Sequence, residues 1–180
     1  MGKEWNAVEI LRHSRHDWLN KLQLIKGNLA LERLDRVNEI IEEIIMDTKN
    51  ESKLTNLKAP QLAALLMLFN WEEQHFFLEF EVLGDEVNLS NIDRELTTWC
   101  CTFLNKINMV IKPFAENHLI LSIQISEKEI RFIFDFRGII EDKSSISNYL
   151  EEQKNGALIQ VVEYEVHNEE MVVVTALALE

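Results

Sequence analysis

The chain reads as an α+β protein in two parts, an antiparallel helical hairpin followed by an α/β sandwich with helices on one face of a mixed sheet. Three observations predict this. Apolar residues recur at heptad spacing through roughly the first fifty positions. Strand-like alternation begins only at Phe76-Phe77-Leu78-Glu79-Phe80-Glu81-Val82. From there, strand patterns are interrupted by helical ones, the order expected of helices packed on a sheet. At 180 residues, with 47% hydrophobic residues and only 5 Gly and 2 Pro, the chain can hold one ordinary domain or a helical appendage plus a small domain.

The first helix is expected over residues 4–31. Val8, Leu11, Trp18, Leu22, Ile25 and Leu29 hold a and d positions, and Arg15 fills the one polar gap. A second helix fits residues 34–53, with Leu34, Val37, Ile41, Ile44 and Ile45 as its stripe. The connection near Glu32 and Arg33 is short enough to force an antiparallel hairpin. Two such helices cannot bury both stripes on each other and stand alone. Pairing of two hairpins in a homodimeric four-helix bundle solves this; folding the hairpin onto its own C-terminal part is the competing solution.

Ser52 to Pro60 reads as a linker, with Pro60 placed for the first turn of a helix. The domains are therefore expected at 1–55 and 56–180. Leu62 to Trp71 is apolar on nearly all sides and predicts a deeply covered helix. A strand over 76–82 ends at Gly84-Asp85, and an amphipathic helix over 92–112 stops near Pro113. Strands are expected at 119–126, 130–136, 159–165 and 171–178, with a short helix near 145–153.

Charge and composition remove several classes. The net charge of -13 argues against nucleic acid, since nothing offsets phosphate repulsion. No run approaches the roughly 18 apolar residues of a membrane span, and Met1 to Trp5 contains no signal-peptide core. Adjacent Cys100 and Cys101 match no metal spacing and read as reduced thiols of a cytoplasmic protein. The charge is uneven. Residues 1–55 hold nine Lys/Arg against ten Asp/Glu, whereas residues 56–180 hold nine against twenty-one. The first helix thus escapes the acidity of the rest, with Arg12, Arg15, Lys21 and Lys26 close to its one conspicuous motif.

That motif is His16-Asp17-Trp18-Leu19-Asn20. Asn20 lies one turn beyond His16, so imidazole and amide share a face. At about 100° per residue the apolar stripe centres near 300°, taking Val8 as zero, and His16 falls near 80°, with Arg12, Leu19, Asn20 and Gln23 around it. His16 is predicted exposed. An imidazole of ordinary pKa, about 6.5, is a competent nucleophile near neutrality. Alone, such a histidine is an ordinary surface residue; its context is what singles it out. His13, three residues earlier, would need ligands from elsewhere to hold a metal.

Residues 13–31 resemble the phosphoacceptor helix of the sporulation initiation phosphotransferase B family of spore-forming bacilli. Glu51-Ser52-Lys53-Leu54 with Asn56-Leu57-Lys58, Glu81-Val82-Leu83-Gly84 and Glu116-Asn117-His118-Leu119 are similar to the same family. The His-Asp-x-x-Asn spacing also resembles, more distantly, the motif of citrate- and dicarboxylate-sensing histidine kinases. The resemblance implies a homodimer built round a four-helix bundle that moves a phosphoryl group from one response regulator's aspartate to another's. It implies that His16 is phosphorylated, with Asp17 and Asn20 supporting it. Arg15, Leu19 and Gln23 are assigned to the regulator-docking face. No cofactor is expected on this chain, and magnesium is expected with the partner's carboxylates.

The competing enzyme class is a sensor kinase core, whose nucleotide-binding domain follows a similar hairpin. Asp135-Phe136-Arg137-Gly138-Ile139 resembles that family's Asp-x-Gly-x-Gly box with both glycine positions filled, by Arg137 and Ile139. Asn155-Gly156-Ala157-Leu158 resembles a Gly-x-Gly-Leu box reduced to one glycine. Backbone amides approach a triphosphate closely only at glycines. The resemblance therefore implies a kinase-like domain without nucleotide binding. A docking module that binds regulators without chemistry is the third class.

Overall fold

In the computed structural model, which describes residues 5–178, the first helix begins where Asn6 can cap it. The Asn6 side chain accepts from the Glu9 backbone N–H at 3.0 Å, and the Glu9 carboxylate returns to the Asn6 N–H at 3.4 Å. This capping box starts α1 (Ala7–Ala30) later than the expected residue 4, which lies outside the described residues. α1 ends in a Schellman turn. Glu32 N–H reaches Leu29 O and Arg33 N–H reaches Asn28 O, each at 3.0 Å. Glu32 takes the left-handed position, φ 54°, that glycine usually fills.

α2 (Leu34–Asn56) then runs back, and Lys21 Nζ meets Asp47 Oδ2 at 3.0 Å across the pair. Val37 and Ile40 are the buried residues of its N-terminal half, with Ile44 half-buried, whereas Leu34, Ile41 and Ile45 stay exposed. The expected stripe therefore mixed two faces and missed Ile40, which is one turn from both Val37 and Ile44. The Ser52–Pro60 stretch differs from a linker: it is helical as far as Asn56. Leu54, Leu57 and Ala59 are buried in a core, so this stretch carries packing side chains. Lys58 (φ 57°) ends the helix, and Pro60 opens α3 (Pro60–Leu68), which continues as a 3-10 turn, Phe69–Trp71.

Two compact units result, Met1–Lys49 and Asn50–Glu180. The second holds β1 (Phe77–Leu83), α4 (Asp93–Val110), β2 (His118–Ile125), β3 (Glu129–Arg137), α5 (Lys143–Gln153), β4 (Gln160–Val166) and β5 (Glu170–Ala178). Each lies within two residues of its expected bounds. The strand order is β1-β2-β3-β5-β4, with β1 parallel to β2 and every other pair antiparallel.

Register places one apolar row across this sheet: Phe80 beside Leu121, Leu121 beside Phe134, Phe134 beside Val173. Helices cover that face. Phe103 of α4 meets Phe134 edge-on at 4.8 Å, and Tyr149 of α5 stacks on Phe103 at 6.0 Å. Neither Ala59 nor any other local side chain caps α3. Asp93 does so from α4, its buried carboxylate accepting from Gln61 N–H at 2.9 Å and Leu62 N–H at 3.0 Å. The β1 edge is closed by side chains: Asn70 both donates to and accepts from Leu78's backbone, and Lys53 donates to Val82 O.

Buried Asn117 ties three segments together. Its amide donates to His75 O and Lys112 O and accepts from Ile139 N–H. Gly138 (φ 151°) lies against it so closely that an added Cβ would come 2.2 Å from Asn117 Oδ1.

Candidate functional site

His16 stands on the middle of α1 with its side chain 72% exposed. One ring nitrogen faces both family-motif neighbours: Nδ1 is 3.4 Å from Asp17 Oδ1 and 3.3 Å from Asn20 Nδ2. These contacts demand different tautomers. An Asn20 N–H donating to the Nδ1 lone pair leaves the ring proton on Nε2 and blocks that atom as a nucleophile. A proton on Nδ1, donated to Asp17, frees the Nε2 lone pair on the far edge of the ring. Rotation of the Asn20 amide lets its oxygen accept from the same Nδ1–H. The cluster can therefore hold the ring in its nucleophilic form.

The helix surface divides into sectors. Residues half-buried in the hairpin (Ile10, Ser14, Lys21 and Asn28 among them) centre near about 210° on the same wheel. The stripe of Val8, Leu11, Trp18, Leu22 and Leu29 centres near about 300° and is exposed throughout. His16, near about 80°, points away from the bisector of those two faces. Arg12, Leu19 and Gln23 are exposed in the same outward sector, together with Asn20. Arg15, also exposed, lies near about 340°, beside the bare apolar stripe and away from the imidazole. The structure thus brings His16, Asp17 and Asn20 into contact, places Leu19 and Gln23 alongside, and sets Arg15 at the edge of that sector, one turn before Leu19 and away from the imidazole.

His13 packs edge-on against Trp5 at 5.1 Å. Among the described residues no group of three His, Cys, Asp or Glu is placed to hold a metal ion. In the second unit, Asp135 alternates with the buried Phe134 and Phe136 and so lies on the sheet face away from the helices. The two phenyl rings fill the covered side at that point of β3. Buried Cys100 has its thiol pushed up to about 12, first by desolvation and then by Cys101. An exposed aromatic group around Phe114 had no warning in hydrophobic periodicity; the only local signal is the Lys112-Pro113-Phe114 break after α4.

Known families also match the chain in two parts, meeting at 57/58 where the compact units meet at 49/50. Residues 58–178 match the family model described as sporulation initiation phospho-transferase B, C-terminal, and residues 2–57 match sensor kinase SpoOB-type, alpha-helical domain. A sporulation initiation phosphotransferase B from Bacillus subtilis is 43% identical over 143 residues, covering 78% of this chain and 74% of that protein. Among solved structures, the histidine kinase domain of a blue-light activated kinase from Erythrobacter litoralis aligns with a TM-score of 0.45 at 11% identity, over 68% of this chain and 61% of that one. A bacterial phosphotransferase aligns with a TM-score of 0.39 at 16% identity, over 96% and 98%. With both of its parts matched and its identity to the Bacillus protein this high, the chain belongs to the sporulation initiation phosphotransferase B family.

Proposed function

We propose that this phosphotransferase carries a phosphoryl group on His16 between two response regulators of a relay controlling sporulation. The observation that carries the reading is the anchored ring: Nδ1 engaged by Asp17 and Asn20 on an exposed imidazole. Nε2 attacks the phosphorus of an aspartyl phosphate on the donor regulator. The N–P bond forms as the P–O bond breaks, the donor's carboxylate departs, and the proton remains on Nδ1 beside Asp17. The resulting cationic phosphohistidine then gives the group to the acceptor's aspartate by the reverse displacement. Little covalent chemistry is required of the chain beyond in-line positioning. Leu19 and Gln23 form the landing surface, and Arg15 touches its rim. Magnesium belongs to the regulator's own carboxylates in this scheme.

The working unit is a homodimer. α1 and α2 each carry an exposed apolar row, Val8-Leu11-Trp18-Leu22-Leu29 and Leu34-Ile41-Ile45. Each row lies about a quarter-turn from the intra-hairpin face. Helices of a four-helix bundle present two adjacent faces to neighbours in this way. A second hairpin covers both rows and leaves His16 outward. No helix among the described residues is long and apolar enough to cross a membrane; the proposed site of action is the cytoplasm, where response regulators receive and pass on the group.

The test is incubation with a phosphorylated receiver domain, wild type beside His16→Gln, with ATP alone as a parallel arm. Label is expected on wild type from the receiver and not from ATP. An unlabelled wild type ends the phosphotransfer reading, label retained in His16→Gln ends the site assignment, and labelling by ATP alone restores the kinase reading.

A further inference from the structure

The loop after α4 exposes the ring of Phe114 almost completely, at 99%. It does so in the left-handed region, φ 61°, which bulky side chains rarely occupy. The loop is nevertheless firmly held. Asn117 grips Lys112 O at one end and His75 O across from it, and Asn108 accepts from His75 N–H at 2.8 Å. A preorganised, outward-facing phenyl ring is more useful for contact than for folding.

It does not stand alone. His75 lies 6.0 Å from Phe114, and the 53% exposed Phe77 stacks on His118 at 5.9 Å. Asn70, Gln74, His75, Phe77, Phe114 and Glu116 line an open depression of about 350 Å³ between them. Carboxylates surround the rings: Glu72 and Glu116 on its wall, and Glu79 on β1, 3.3 Å from His118. Lys112 is the one lysine of the loop. The surrounding residues 56–180 are strongly acidic, with twenty-one Asp/Glu against nine Lys/Arg.

Aromatic faces beside carboxylates select a cation that is planar, weakly hydrated and able to donate a fork of N–H groups to carboxylate oxygens. That describes a guanidinium. We propose that this depression is a docking site for an arginine-bearing segment of a partner protein. The guanidinium lies between Phe114 and Phe77, and Glu116 on the wall of the depression accepts from its N–H groups. A lysine fits less well, because an ammonium neither stacks nor bonds in a bidentate manner.

The experiment titrates the full chain with an acetylated, amidated peptide of four Gly-Arg repeats by isothermal calorimetry. Lysine and citrulline versions of the peptide serve as controls. The arginine peptide is expected to bind several-fold more tightly than the lysine one, and the citrulline one not to bind. Phe114→Ala and Phe77→Ala are each expected to weaken binding at least fivefold, and Glu116→Gln about threefold. Glu163→Gln on β4, which removes the same charge elsewhere, is expected to leave it unchanged, with melting curves verifying that all variants fold. Absence of binding, equal losses at Glu116 and Glu163, or indifference to Phe114→Ala overturns the assignment. Self-association of the wild type that Phe114→Ala abolishes also overturns it, because the occupant is then a second copy.

Discussion

Replacing Asp17 by asparagine separates two roles that geometry alone leaves joined. The carboxylate oxygen is 3.4 Å from His16 Nδ1, and the two side chains are 48% and 72% exposed. In the proposed transfer the ring becomes cationic as Nε2 gains phosphorus, so Asp17 would stabilise the transition state more than the free enzyme. Coulomb's law at that distance in water gives about 1.2 kcal/mol, and exposed pairs measure about 0.2–1 kcal/mol. Converted to rate, this is a slowing of roughly 1.5- to eightfold. A proton-transferring base would instead be worth about 10²–10⁴-fold. The assay is single-turnover transfer from a phosphorylated receiver, wild type and Asp17→Asn side by side, read as their ratio. Raising ionic strength from 0.1 to 1 M shortens the Debye length from about 10 to about 3 Å, so the ratio shrinks toward one. No slowing at low salt, or a loss beyond a hundredfold, refutes the electrostatic account.

Other consequences follow from the packing. Leu22→Asp puts a charge in the exposed seam of α1 and is expected to weaken dimerisation at least a hundredfold by sedimentation, without lowering the helix content of the second unit; an unchanged dimer excludes this seam. Asp93→Ala strips the cap from α3 and is expected to cost about 2–4 kcal/mol in urea unfolding, with Asp93→Asn losing less; a cost below about 1 kcal/mol contradicts the trans-capping role. Cys100, whose folded pKa is raised to about 12 from 9.0, is expected to resist a thiol reagent at pH 8 while half-buried Cys101 reacts. The unfolded thiol ionises first, so stability falls as pH climbs from about 9 toward 12. Cys100→Ala is expected to flatten that decline, and an equal decline in the variant assigns it to other groups.

Much of the second unit was legible because its strands alternate strictly, as in Phe132, Phe134 and Phe136 facing in and Arg131, Ile133 and Asp135 facing out. The parallel pairing of β1 with β2 was not, since local alternation carries no information on neighbours. Ile40 was missed because Ile40 and Ile41 are interchangeable to a pattern and only packing distinguishes them. The linker reading failed on Leu54 and Leu57, polar neighbours disguising two core residues. The hairpin turn was legible at Glu32 and Arg33 from the break between two helical stripes, although glutamate, not glycine, occupies its left-handed position. The outward sector of His16 came directly from helical periodicity. The competition between Asp17 and Asn20 for one ring nitrogen required side-chain distances, as did the trans cap of Asp93.

Gly138 shows how one side chain can dictate the identity of a residue distant in sequence. It stands between Arg137 and Ile139, at a variable position of the glycine box that this stretch resembles, so it is not one of that box's glycines. Its lack of a side chain is demanded by Asn117, whose amide welds three chain segments. A glycine in a motif-like stretch therefore speaks of chemistry only after the packing around it has been accounted for.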